Sequence, residues 1–302
     1  MKDSFKEYYN IPTQKTVDFL DIPLNKDLKA FICPFRIANN RQEKVIDNIF
    51  CQMKHFLEQL NRSFVMQNDR LQGLIFLSNL HEPNECHLGF SANNKGKAIA
   101  NPRAETIFNA LSNNKFAKQG TSIINEAHNV LLLVEGIGQD IMSDTIANVC
   151  RNILAEFTYA QCLKYGIPLS KFGFDYYDIA TNTWKNTYFE LPSFNGKPII
   201  LIPRNIIAAG RNYSNNYNHF VAGNYISVDI LNGRISLNNE GKFIRTLKDG
   251  TKKAIIKEIQ KAYGKPKVEL VDFVLAYNDS LEKFLEYAKE HYPEIDLSNI
   301  KD

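Results

Sequence analysis

The stretch from Leu131 to Gln161 constrains the fold more than any other part of the chain. An apolar run, LLLV, ends at the carboxylate of Glu135, and a flexible Gly-Ile-Gly turn follows it. Two more acids, Asp140 and Asp144, then stand at the start of a long helical pattern. Acids at the junction of a buried strand and a helix are costly unless a metal, a substrate or a helix cap pairs with them. The sequence therefore predicts an acidic site at this junction.

The helix that follows is expected to begin after Ser143 and to run to about Tyr165, because Gly166 and Pro168 stop it. Residues 172–203 then change to strand character, since they are rich in aromatic and β-branched residues and are interrupted by turn signals. An Asn/Tyr-rich polar loop is expected at residues 211–218. Further helices are predicted over residues 41–60, 71–79, 104–112, 252–263 and 268–277, and from Asp279 onward.

These patterns predict an α+β fold with a small, mostly antiparallel sheet flanked by helices and with helical N- and C-terminal parts. A soft boundary near residues 210–225 divides the chain into an α+β core domain, residues 1–210, and a mainly helical C-terminal region, residues 211–302. The 302 residues, 44% of them hydrophobic, are enough to bury one large core or two modest ones.

Composition favours a cytoplasmic protein. The net charge is only +3, so the global charge does not demand a polyanionic partner. Five widely spaced cysteines form no CxxC pair, which argues against a disulfide framework. The N-terminus has no apolar signal segment, and the longest apolar runs are far shorter than a membrane helix needs. We therefore expect no membrane partner.

Three acids and a lysine are candidates for a metal-dependent hydrolytic site. Carboxylates that converge on Mg²⁺, with a lysine nearby, are what phosphodiester hydrolysis needs. Asp144 at the helix start, Asp175 in one strand and Glu190 in the next are the predicted Mg²⁺ ligands. Asp144, Glu190 and Lys197 are the predicted catalytic residues, with Lys197 stabilising charge on the phosphate.

This arrangement resembles the restriction-endonuclease-like, PD-(D/E)XK, superfamily over residues 130–205, although Pro192 stands where the lysine of that pattern belongs. The resemblance implies a nuclease. The structural alternative is that Ser143 caps the helix, Asp144 lies in its first turn, and Asp175 and Glu190 face solvent from their strands.

Two basic segments are candidates for nucleic-acid binding. The loop LGFSANNKGK at residues 88–97 offers Lys95 and Lys97 to phosphate oxygens, and its alternative interpretation is an exposed surface loop. Lys253, Lys257 and Lys261 recur every fourth residue and would form a basic ridge on a helix. Such a ridge attracts a phosphate backbone, and its alternative interpretation is a solvated helix face.

Two further groups of residues have competing interpretations. His81, Glu85, Cys86 and His87 lie within seven positions, but their spacing fits no standard zinc module, and ordinary packing is the alternative. The aromatic residues of the Asn/Tyr-rich segment at residues 211–218 could stack on bases or simply anchor that segment.

A second resemblance concerns the runs NECHLGFS…KGK, VEGIGQDIMSDTIANV and YAQCLKYGIP. Together they resemble a group of uncharacterised bacterial proteins found in mobile and defence-type gene neighbourhoods, over residues 80–205. This resemblance implies a nucleic-acid or anti-phage role. Cys33 stands where that pattern leads us to expect an acid, which weakens a role for the N-terminal stretch.

Three hypotheses follow. The first is a divalent-metal-dependent nuclease that acts on DNA in bacterial anti-phage defence. The second is a non-catalytic component of a defence complex that binds nucleic acid or a protein partner. The third is a toxin enzyme that attacks a nucleotide or a protein.

Overall fold

The computed structural model describes residues 4–12, 14–89, 102–236 and 240–292. Its helices are α1 (Phe5–Tyr8), α2 (Pro34–Asn39), α3 (Lys44–Leu60), α4 (Arg70–Leu77), α5 (Pro102–Asn113), α6 (Lys115–Lys118), α7 (Ala127–Leu133), α8 (Gln139–Val149), α9 (Arg151–Tyr165), α10 (Tyr213–Val221), α11 (Ser227–Leu231), α12 (Glu240–Phe243), α13 (Ile256–Tyr263), α14 (Leu270–Ala276) and α15 (Ser280–His291). Its strands are β1 (Phe31–Ile32), β2 (Ser170–Asp178), β3 (Thr183–Leu191), β4 (Ser193–Phe194), β5 (Lys197–Pro198), β6 (Ile207–Ala208), β7 (Ile244–Thr246) and β8 (Lys252–Ala254).

The predicted α+β class is confirmed, because antiparallel two-stranded sheets lie among many helices. The strands of the described residues pair as β1–β6, β2–β3, β4–β5 and β7–β8. None of the described helices has the length and apolar character that crossing a bilayer requires.

The β2–β3 hairpin is the largest strand pair. Tyr177 lies opposite Trp184 in its register, next to a turn in which Asn182 has a φ of 57°. Trp184 donates its indole N–H to the carbonyl oxygen of Phe76 at 2.7 Å, and the Tyr177 ring packs edge-on against Phe56. One end of the hairpin is therefore anchored to α3 and α4.

Helices α7, α8 and α9 contribute many buried residues to the core. The Leu131–Leu133 run, predicted as a buried strand, is instead the end of α7. The helix predicted from Ser143 to Tyr165 is two helices, α8 and α9, which meet at Cys150. Ser143 is not an N-cap: α8 begins four residues earlier, and the Ser143 hydroxyl accepts a hydrogen bond from the backbone N–H of Ile32.

The chain after residue 210 packs on the preceding part. The Cys33 thiol and the Tyr213 hydroxyl are hydrogen-bonded at 2.9 Å, and Arg36 donates to the carbonyl oxygen of Tyr292 at 3.0 Å. Buried residues from both parts belong to one hydrophobic cluster. The polar loop predicted at residues 211–218 is wrong, because α10 begins at Tyr213 and buries one face.

A helix was also predicted over residues 252–263. The structure divides this segment into strand β8 and helix α13, because Lys252–Ala254 pairs with β7 before the helix begins at Ile256. Cross-strand pairing thus overrides the helical periodicity that the lysines suggest.

Candidate functional sites: a buried charge centre and an exposed basic segment

Asp144 lies in the middle of α8 and is almost completely buried. Its Oδ2 atom is 2.7 Å from an Nη atom of Arg103, near the start of α5. Burial raises the pKa of Asp144 to about 7, and Arg103 opposes this increase only in part. The ion pair and the burial act in opposite directions, and the burial is the larger effect. This carboxyl group therefore titrates near neutral pH, which is a property of groups that transfer protons.

Seven residues further along the chain, Arg151 is fully buried at the start of α9. Its Nε and Nη2 atoms donate to the same carboxylate oxygen of Glu85 at 3.0 and 2.9 Å. Its Nη1 atom donates to the backbone carbonyl of Asp175 at 2.7 Å, and Nη2 also donates to Asn148 Oδ1 at 2.9 Å. The guanidinium lies 5.1 Å from the ring centroid of Phe174. Arg151 thus ties α8, α9 and the β2–β3 hairpin together.

Asn148 connects the two buried ion pairs. Its side-chain N–H donates to the backbone carbonyls of His81 and Asp144, each at 2.7 Å. We call the Asp144–Arg103 and Arg151–Glu85 pairs, with Asn148, the buried charge centre. Its charged groups are paired within the protein, as buried charges must be.

Sequence reasoning missed Arg151, Arg103 and Asn148. A signal was present for two of them, because positions 144, 148 and 151 have the i, i+4, i+7 spacing of one helix face. Arg103 has no such signal, since the contact between α5 and α8 is made only by the tertiary fold.

The predicted Mg²⁺ ligands are not brought together. In the β2–β3 register Asp175 lies opposite Asn186, whereas Glu190 lies opposite Lys171. The two acids share a face of the hairpin but are separated by four residues, or about 13 Å along the strand. The Asp175 carboxylate accepts a hydrogen bond from Asn186 at 2.9 Å, and Glu190 is exposed.

Lys197, the predicted phosphate-stabilising residue, is exposed on β5 in the separate β4–β5 hairpin. In the described parts of the chain, no group of three or more His, Cys, Asp or Glu residues is arranged to hold a metal ion. The residues predicted for Mg²⁺ therefore do not fit one ion in this structure.

The candidate zinc residues have other roles. Glu85 is bound to Arg151, and Cys86 is buried, which raises the pKa of its thiol well above the ordinary value. His87 has a φ of 51° and is also buried, and burial lowers its pKa. These residues therefore belong to the packed interior beside the buried charge centre.

The basic segment, which we define as residues 242–267, differs from the rest of the molecule. It contains nine Lys and Arg residues and two acids, a net charge of +7 in a chain whose total is +3. The rest of the chain therefore carries −4. Five of its cations are exposed and form neither an ion pair nor a cation–π contact with any residue that the structure describes: Arg245, Lys248, Lys253, Lys257 and Lys261.

The predicted lysine ridge is preserved only in part. Lys257 and Lys261 are one turn apart on α13, but Lys253 lies on β8 and opposes Arg245 of β7. Burial lowers the pKa of Lys267 to about 8, and its Nζ atom donates to the carbonyl oxygen of Ile137. Lys95 and Lys97, the other predicted nucleic-acid contacts, lie outside the described residues.

A cavity of about 520 Å³ lies between α5, the end of α7 and α14. Its polar lining includes Glu135, Lys115 and Asp272, and the last two are 3.8 Å apart. The volume is in the range of small-molecule sites. Glu135, which follows the apolar run LLLV, therefore faces this cavity rather than the buried charge centre.

The fold and these surfaces define an α+β protein with a buried charge centre and a separate, exposed basic segment. Residues 10–215, about two thirds of the chain, match the family described as a domain of unknown function, DUF8370, and the chain belongs to this family. No curated protein and no solved structure matches it. The matched range contains the buried charge centre and ends before the basic segment.

Proposed function

We propose that this protein binds nucleic acid through the basic segment. The observation that carries the proposal is the set of five exposed cations with neither an ion-pair nor a cation–π partner among the described residues, within a segment of net charge +7. Lys and Arg side chains that neutralise phosphates release condensed counterions, and this release drives association. The net negative charge of the remaining chain favours approach of a polyanion to this segment.

Binding without turnover is favoured over cleavage. Metal-dependent hydrolysis needs carboxylates that share an ion, and Asp175 and Glu190 are held apart by their register. Asp144 is paired with Arg103 in the interior. Mg²⁺-dependent cleavage of DNA thus stays a prediction, and the proposed role is the non-catalytic one.

The biological setting is part of the proposal. The resemblance to bacterial defence-associated proteins supports a role in anti-phage defence, in which the bound nucleic acid or a protein partner triggers a larger complex. The five cysteines are all free thiols, which suits the reducing cytoplasm.

Fluorescence anisotropy of the full chain with labelled DNA and RNA tests the proposal. We expect binding that weakens steeply with salt and that is reduced at least tenfold in the Lys253→Ala, Lys257→Ala, Lys261→Ala triple variant. The matched control carries alanine at three exposed lysines of other surfaces, Lys44, Lys118 and Lys289. Equal loss in both triple variants, or no binding of any nucleic acid, contradicts the proposal.

A second arm addresses cleavage. The same nucleic acids are incubated with the protein and with Mg²⁺ or Mn²⁺, and we expect them to stay intact. Cleavage that the Asp144→Asn variant abolishes would replace the binding role with the nuclease hypothesis.

A further inference from the structure

The β7–β8 hairpin is a short, internally closed ribbon. Its loop is held by a hydrogen bond from Leu247 N to Thr251 O at 2.8 Å, which continues the ladder, and by one from Gly250 N to Leu247 O at 3.0 Å. Gly250 has a φ of 84°, which glycine adopts without strain. The Asp249 carboxylate accepts a hydrogen bond from Thr251 N at 2.9 Å. Hydrogen bonds therefore hold the ribbon together from its paired strands to the loop that joins them.

The two faces of the ribbon differ. Ile244 and Ala254, which are opposite each other, pack against the hydrophobic core and orient the ribbon on the protein. Side chains alternate between faces along a strand. The next pair, Arg245 and Lys253, therefore lies on the opposite face, and both residues are exposed. The free face of the ribbon is thus cationic, and Lys248 adds a further exposed cation in the loop.

The dimensions of the ribbon match those of one groove. Two strands lie about 4.8 Å apart, and three residues of each span about 10 Å. The major groove of B-form DNA is about 12 Å wide and 8.5 Å deep and admits a two-stranded ribbon. The major groove of an RNA duplex is deep and narrow and does not admit one.

We infer that the β7–β8 ribbon inserts into the major groove of duplex DNA, with Arg245 and Lys253 directed at base edges and Lys257 and Lys261 on the flanking phosphates. This inference rests on the proposed nucleic-acid binding and specifies its substrate. Arginine pairs with the O6 and N7 acceptors of guanine, and a carboxylate such as that of Asp249 accepts from the amino group of cytosine. Charge complementarity and the groove dimensions together select duplex DNA over other polyanions.

The first test compares one sequence as duplex DNA, duplex RNA and single-stranded DNA, each bound by the full chain at one salt concentration. We expect duplex DNA to bind about tenfold or more tightly than duplex RNA. Arg245→Ala should weaken duplex DNA binding by about tenfold, as for loss of a base-contacting arginine, and should affect duplex RNA far less. Lys289→Ala is the matched control, because Lys289 is an exposed lysine of a different element, α15.

The second test locates the groove by chemical protection. Methylation at guanine N7 reports the major groove, and methylation at adenine N3 reports the minor groove. We expect the protein to protect N7 positions and the Arg245→Ala variant to lose that protection. A circular dichroism spectrum equal to that of the unsubstituted protein checks that the variant is folded.

Three results overturn the inference. Insertion of the ribbon into the major groove is excluded by equal affinity for duplex DNA and duplex RNA, by protection at adenine N3 alone, or by an Arg245→Ala variant that still prefers duplex DNA over duplex RNA. The proposed function survives each of these results. Absence of binding to every nucleic acid overturns the proposed function as well, so the two failures are distinguishable.

Discussion

Arg151 and Arg245 carry the same guanidinium in opposite surroundings. Arg151 is fully buried and donates to Glu85, Asn148 and a backbone carbonyl. Arg245 is exposed on a ribbon and has no acidic partner within the described residues. A buried charge must be paired, and removal of its partner costs several kcal/mol, whereas an exposed charge remains available to a ligand. Burial therefore separates the charges that hold this fold from those that are available for binding.

The buried acids Asp144 and Glu85 are poor evidence for a catalytic site, because each is paired with an arginine. Asp144 and Glu85 are each engaged by an arginine that comes from a different element of the fold. The buried charge centre joins α5, α8, α9 and the β2–β3 hairpin. Its first function is therefore structural, and the following variants test this assignment in order of decreasing effect.

The largest effect is expected for Arg151→Met. This substitution keeps the side-chain volume but leaves Glu85 buried without its cation, so the free energy of unfolding should fall by about 3–5 kcal/mol. Urea denaturation at neutral pH measures it. Arg62→Met, at an exposed arginine, should change stability by no more than about 0.5 kcal/mol. A loss below about 1 kcal/mol for Arg151→Met would contradict the structural role of the buried charge centre.

The pH dependence of stability should identify Asp144. The ordinary pKa is 3.8, and the pKa in the folded state is about 7. Between these values the folded protein binds one proton more than the unfolded chain, so this group makes stability fall as pH rises from about 4 to 7. The ceiling of the effect is about 4 kcal/mol, from about 1.36 kcal/mol per pKa unit.

Asp144→Asn should remove this contribution, so the variant gains stability relative to the unsubstituted protein as pH rises from 5 to 8. Urea denaturation at both pH values measures the difference. Glu190→Gln removes one carboxylate charge at an exposed site and serves as the control. A stability difference between Asp144→Asn and the unsubstituted protein that is constant with pH would show that Asp144 does not titrate in this range.

A smaller effect is expected for Asn148→Ala. The amide donates to two backbone carbonyls and accepts from Arg151, so its loss leaves buried polar groups without partners. Such a loss costs about 1–3 kcal/mol. Thermal or urea denaturation measures it, with Asn48→Ala at an exposed position of α3 as control. Equal stability of both variants would indicate that the two buried ion pairs act independently of Asn148.

The smallest effect on stability is expected for the triple alanine variant at Lys253, Lys257 and Lys261. None of these lysines forms an ion pair with a described residue, so each substitution should change stability by no more than about 0.5 kcal/mol. The melting temperature measures this, and binding falls in the same protein. A large loss of stability would mean that the basic segment, like the buried charge centre, is structural.

Helices and strands that depend on the local pattern of apolar, aromatic and β-branched residues are predicted well from the sequence. Helix α3 lies where a helix is predicted, and strands β2 and β3 lie in the segment whose aromatic and β-branched composition predicts strands. The Leu131–Leu133 run was misassigned because a short apolar run fits a buried strand and a buried helix equally. Lys252–Ala254 was misassigned to a helix because helical periodicity carries no information about the pairing of this segment with β7.

The candidate sites were less predictable for a related reason. Lys257 and Lys261 keep their predicted exposure and spacing, since these follow from local helix geometry. The partners of Asp144 and Glu85 depend on contacts between distant elements, and only the folded chain defines them. The separation of Asp175 from Glu190 likewise follows from strand register, which the turn at Asn182 fixes.

The salt dependence of binding tests the central claim most directly. About 0.9 counterions are released per phosphate contact on duplex DNA, so five exposed cations on phosphates predict a slope of about −4.5 for log K against log salt, and insertion of the ribbon with Arg245 and Lys253 on base edges predicts about −3. The Lys253, Lys257 and Lys261 triple alanine variant should reduce these slopes to about −2 and about −1, respectively. A slope near zero, or the same slope in both proteins, would show that the basic segment does not contact the phosphate backbone.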